Sequence, residues 1–94
     1  MAQRLITLDH EEDISVGGGG GYVTKTIETG DANYEIVDIL IDAYSKGLPT
    51  VSVSQSTVKN YYKWDVGFVN AGNQDCTFRV KMLVMTHPQP YQKC

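Results

Sequence analysis

The sequence is short of almost everything from which a small protein draws chemistry or extra stability. Its two cysteines, Cys76 and Cys94, allow at most one pair and so make no disulfide framework. They are read as free thiols, one packed in a strand and one at the last position, a usage that suits a reducing compartment. No apolar run is long enough to span a membrane, and the start Met1-Ala2-Gln3-Arg4 has no leader character, so synthesis in the cytoplasm is expected, with no membrane partner. Lys and Arg are scattered rather than gathered into one face, which excludes nucleic acid as an expected partner. The two histidines, His10 and His87, lie near opposite ends of the chain, and no Ser, Cys or Asp stands beside either in a nucleophile context. No catalytic residue is assigned, no cofactor is expected, and the chain is read as non-enzymatic. With 94 residues there is room for one domain, and a chain of that size buries only about 60–65% of the surface its unfolded form exposes. An oligomeric contact is the expected source of further stability.

What is present is unevenly distributed. Residues 1–16 hold Arg4 against Asp9, Glu11, Glu12 and Asp13, so the whole net charge of −3 falls there, and the remainder is balanced. Five glycines follow: Gly17, Gly18, Gly19, Gly20 and Gly21. Each loses much backbone freedom on ordering, and the run is read as a hinge over 17–21 between an acidic arm, 1–16, and a domain, 22–94. A phosphate-cradling loop would need a lysine and a hydroxyl residue directly after the last glycine, whereas Tyr22-Val23-Thr24 stands there. The acidic residues are contiguous and match neither a calcium loop nor a zinc motif, so no metal site is assigned. They are read as solvated, with a basic groove on a partner protein as their natural target, and Asp9, Glu11, Glu12 and Asp13 are the candidate contacts. Deleting the arm is expected to abolish assembly and leave the domain folded.

From Tyr22 onward β-branched and aromatic residues dominate. Residues 22–27 read as a strand ending at Thr29-Gly30-Asp31, and Val51-Ser52-Val53-Ser54 alternates after Pro49. Tyr62, Trp64, Val66 and Phe68 alternate with polar residues, as do Phe78, Val80, Met82 and Val84. Asn70-Ala71-Gly72-Asn73-Gln74-Asp75 lies between them, and a β-hairpin is expected there. His87-Pro88-Gln89-Pro90 cannot continue a central strand. The segment 32–48 has two readings. As a helix over about 32–46 it places Glu35, Asp38, Asp42, Ser45 and Lys46 on one stripe, with Asp31 as cap and Gly47-Leu48-Pro49 as stop. As a strand it aligns Val37, Ile39, Ile41 and Ala43. The strand is preferred because Ile, Val and Tyr abound and every neighbouring element is a strand needing a partner. In Tyr61-Tyr62-Lys63-Trp64, Tyr62 and Trp64 are read as core, and Tyr61 as a candidate binding anchor.

The expected fold is therefore all-β, a small antiparallel β-sandwich with Greek-key-like strands, with α+β as the alternative should 32–46 be helical. The succession Glu28-Thr29-Gly30, then Ile36 to Ser45, Leu48 to Val53, Val66 to Asn73 and Cys76 to Val80 resembles the sandwich of the H-type lectins and of bacteriophage tail-fibre tips. That resemblance implies a homo-oligomer, commonly a trimer, that binds carbohydrate or other virion proteins. It supplies no recognisable sugar-ligating set here, so no glycan-binding residue is carried over. The expected function is a structural or receptor-binding component of a virus or phage particle, such as a decoration or fibre protein, anchored by its N-terminal arm. A lectin-like glycan-binding module and a small inhibitor of a host protein are the alternatives.

Overall fold

Alternation of apolar and polar residues governs almost the whole chain, and each alternating stretch becomes a strand. The computed structural model describes residues 4–31 and 33–86. Its strands are β1 (Leu5–Val16), β2 (Gly21–Glu28), β3 (Tyr34–Lys46), β4 (Val51–Asn60), β5 (Lys63–Asn70) and β6 (Cys76–Thr86). They form two antiparallel three-stranded sheets, ordered β1-β6-β3 and β2-β5-β4. The expected all-β antiparallel sandwich is the fold. Inner faces contribute Ile14 and Val16 from β1, Ile36 and Ile39 from β3, Phe78, Val80, Met82 and Val84 from β6 on one side. Ile27, Val51, Val66 and Phe68 meet them from the other. Phe68 and Phe78 touch edge to face across the sheets, with centroids 5.1 Å apart.

The helical alternative for 32–46 falls, and β3 shows why it was tempting. Ile36, Ile39, Ile41 and Tyr44 pair with Val84, Met82, Val80 and Phe78 of β6, and the register slips at Val37, Asp42 and Ser45. Each slip inserts one residue and resets the inward phase. Two of the inward spacings thus become three residues, which in sequence reads as a helix period.

Three further expectations are corrected. Residues 5–16 are no arm: they are strand β1, paired to β6 from Leu5 opposite Met85 to Val16 opposite Cys76. Ile14 and Val16 sit wholly in the core. The apolar residues Ile6, Leu8, Ile14 and Val16 alternate with polar ones, a pattern hidden by the acidic run between them. The glycines are likewise no hinge between bodies but the crossing from one sheet to the other. Gly18 N–H donates to Asp75 Oδ1 at 3.0 Å, Gly19 N–H to Gly72 O at 2.6 Å and Gly20 N–H to Asn70 O at 2.9 Å. Gly19 and Gly20 take φ of 76° and 87°, and a Cβ on Gly18 would stand 2.5 Å from the Asn73 carbonyl carbon. Glycine is required by that fit. Finally, β5 and β6 make no hairpin, because 71–75 also crosses between sheets. The hairpin joins β4 to β5 through Tyr61-Tyr62, with Asn60 opposite Lys63.

One buried side chain gathers these crossings. Asn70 is fully buried. Its Oδ1 accepts from Thr50 Oγ1 (2.6 Å) and Gly72 N–H (2.9 Å), and its Nδ2 donates to Val16 O (3.2 Å) and Gln74 O (2.7 Å). The amide therefore ties the end of β1, the start of β4 and the 71–75 crossing to β5. Asn70→Ala orphans several buried polar groups and is expected to cost about 3 kcal/mol or more in denaturant unfolding. Deleting residues 1–16 removes β1 and its core residues and is expected to abolish the cooperative unfolding transition, as read by near-ultraviolet circular dichroism.

Candidate interaction surface

The pleat of β1 divides the acidic candidates between two faces. Asp9, Glu11 and Asp13 point outward, whereas His10 and Glu12 take the half-buried inner positions. On the outer face the cations of the central strand β6 lie between acids of both edge strands. Arg79 Nε is 2.7 Å from Asp13 Oδ1, and Lys81 Nζ is 3.6 Å from Asp42 Oδ1 on β3. Asp9, Glu11, Asp42, Arg79 and Lys81 border a shallow concavity of about 290 Å³. All these groups are solvated, so each pair contributes at most about 1 kcal/mol. What they fix is the sign of the surface along β1, where Asp9 and Glu11 hold no ion pair among the described residues. No group of three or more His, Cys, Asp and Glu is placed to hold a metal ion among the described residues.

Glu12 turns toward the other sheet. Its Oε1 is 2.8 Å from His10 Nε2 and its Oε2 is 3.1 Å from Lys25 Nζ on β2. The hydrogen bonds from His10 and Lys25 hold its carboxyl below the ordinary value of 4.5. The contact closes the β1–β2 side of the sandwich.

Tyr61, the aromatic candidate, sits half-buried in the β4–β5 turn with its ring edge-on to Tyr62 at 5.2 Å. Its carbonyl accepts from Ile36 N–H at 2.7 Å, which pins the turn to β3. The more open ring is Tyr22, about half exposed on the outer face of the β2-β5-β4 sheet. It lies over Gly67, where an added Cβ would run into the Tyr22 hydroxyl. Thr24, Gln55, Thr57, Lys59 and Asp65 complete a groove of about 240 Å³ with it. Asp65 accepts from Thr26 Oγ1 at 2.8 Å and lies 3.4 Å from Lys59 Nζ. Sequence reasoning passed over Tyr22 because alternation alone does not separate a covered from an open face.

The β3–β4 side differs from the rest of the surface. Among the described residues, five of the seven large apolar side chains that stand exposed are there: Val37 and Leu40 on β3, Leu48 in the connection, and Val53 and Val58 on β4. Strand β4 is solvent-exposed on both faces from Ser52 to Lys59. Cys76 is a free, buried thiol whose Sγ is 3.0 Å from Leu48 O. His87, the 87–90 tail and Cys94 lie outside the described residues. No protein-family model, curated protein or solved structure matches the chain.

The Glu12 contact carries a pH dependence of definite sign. Because its carboxyl is held below 4.5 in the folded state, it stabilises the fold above that value, and the contribution is lost as pH falls through the lowered value. Glu12→Gln is therefore expected to lower stability near neutral pH by under about 1 kcal/mol. The gap from the parent should close as pH falls through that lowered value, as read from urea titrations across the range.

Proposed function

We propose that the protein is a non-enzymatic structural or receptor-binding component of a virus or phage particle and works as a homo-oligomer. The observation that carries this reading is that exposed Val37, Leu40, Leu48, Val53 and Val58 all lie on β3, on β4 or in the connection between them. Apolar side chains gathered on one side of a small domain are the mark of a contact surface. The elongated form, 47 × 21 × 16 Å, suits side-by-side packing in a fibre or decoration. The likeness in strand pattern to tail-fibre tips supports the particle as its setting. A detached acidic arm has no part in it, because residues 5–16 build β1. Light scattering at micromolar concentration is expected to give a multiple of the chain mass. A clean monomer across that range would remove the proposal.

The groove around Tyr22 favours glycan binding as a second reading. An open tyrosine ring offers an apolar platform, and Thr24, Gln55, Thr57 and Asp65 offer the polar groups that a sugar ring requires. Binding on a glycan array that is lost in Tyr22→Ala and kept in Tyr61→Ala would support it, and a blank array would remove it.

A further inference from the structure

The geometry points to β4 as the edge through which two copies of this chain pair, antiparallel, about a two-fold axis lying between Ser54 and Gln55. The inference rests on the self-association proposed above and names its site. A two-sheet sandwich of this order has four edges, and the strands at three of them carry charges along their paired run. Strand β1 carries Asp9, Glu11, Glu12 and Asp13 and slips register between His10 and Ile14. Strand β3 carries Glu35, Asp38, Asp42 and Lys46 and slips three times. Strand β2 has no slip but carries Lys25, held by Glu12 across the sheets, and Glu28, held by Lys63. Charges and bulges of this kind are what keep strand edges from pairing. Strand β4 slips twice, at Ser54 and at Lys59, but its run Val51-Ser52-Val53-Ser54-Gln55-Ser56-Thr57-Val58 contains no charge.

The backbone of this edge is open as well. At Val51 the Tyr44 hydroxyl donates to the carbonyl and accepts from the N–H, both at 3.1 Å. Beyond that cap, β4 is paired only with β5 among the described residues.

The slip at Ser54 sets the register open to a second copy. In an unbroken antiparallel strand, two residues an odd number apart point to opposite faces and cannot stand opposite each other across a two-fold axis. Here Val53 and Ser56 both occupy inner-face positions, opposite Phe68 and Val66, and Ser52 and Thr57 both occupy outer-face positions, opposite Val69 and Asp65. A second copy can then set its Ser56 against Val53 and its Thr57 against Ser52 with every side chain on its proper face. The single charge nearby, Lys59, falls outside the paired span and is already met by Asp65, so no like charges are opposed. The strand is complementary to itself, and two sandwiches join into one sheet ordered β2-β5-β4-β4-β5-β2.

Paired charges at exposed positions 52 and 57 test the register. In S52K/T57K two lysine pairs would be forced together across the axis, and the dimer dissociation constant in sedimentation equilibrium is expected to rise about tenfold. In S52E/T57K the same positions attract, and the constant is expected to return to the parent value or below. Equal weakening in both variants would overturn the paired register. No change in either would overturn β4 as the site and leave self-association standing, whereas a parent chain that is monomeric throughout would remove both. Hydrogen exchange on the unmodified chain needs no variant to fold: amides 53–57 should slow as protein concentration rises. Concentration-independent exchange there in an oligomeric sample would assign the edge to some other occupant and overturn the inference.

Discussion

The arrangement depends on satisfying one buried amide. Asn70 ends a central strand where two crossings, 17–20 and 71–75, and the entry to β4 converge, and its four hydrogen bonds serve all three. A buried amide left short of partners costs more than any of the exposed ion pairs contributes. The pole around Asn70 is therefore fixed, and the strand assignments follow from it. Residues on either side of each crossing are sent to different sheets, so β1 and β2, or β5 and β6, face each other across the core rather than pairing side by side. The opposite pole is held more locally, by Thr29 N–H on Tyr62 O and Ile36 N–H on Tyr61 O.

Between these poles the two sides of the sandwich differ in kind. On the β1–β2 side, Glu12 reaches Lys25 across the gap, and acidic residues line the outer strand. On the β3–β4 side the sheets are bridged near one end by Tyr44 on Val51 and near the other by Ile36 on Tyr61. The run of β4 from Ser52 to Val58 is exposed on both faces and uncharged. The proposed self-association rests on that asymmetry: charged strands resist edge pairing, whereas an uncharged run beside exposed apolar residues leaves an edge open to it.

The acidic segment shows how much the same residues can mislead. Asp9 to Asp13 contain no apolar residue, and five glycines follow, so composition describes an arm and a hinge. The decisive residues lie on either side of the acids: Ile6 and Leu8 before, Ile14 and Val16 after. Two additional residues at the slip between His10 and Ile14 carry the strand past the acids without changing its inward phase. The glycines are ordered because the 71–75 crossing supplies acceptors to their N–H groups.

The sequence by itself favoured the class of fold and placed about half of the core. Val66, Phe68, Phe78, Val80, Met82 and Val84 are where period-two alternation places them, since the direction of a strand side chain is a local property of the pleat. It also placed Asp9, Glu11, Glu12, Asp13 and Tyr61 as polar or aromatic candidates, without telling which face each would occupy. Only the tertiary structure decided that Glu12 turns inward, that Tyr61 is tied into a turn, that Tyr22 is the open ring and that β4 is an undefended edge. The reason is physical: pairing partners, sheet membership and coverage depend on contacts between residues up to about eighty positions apart, and no local pattern records which strand lies beside which.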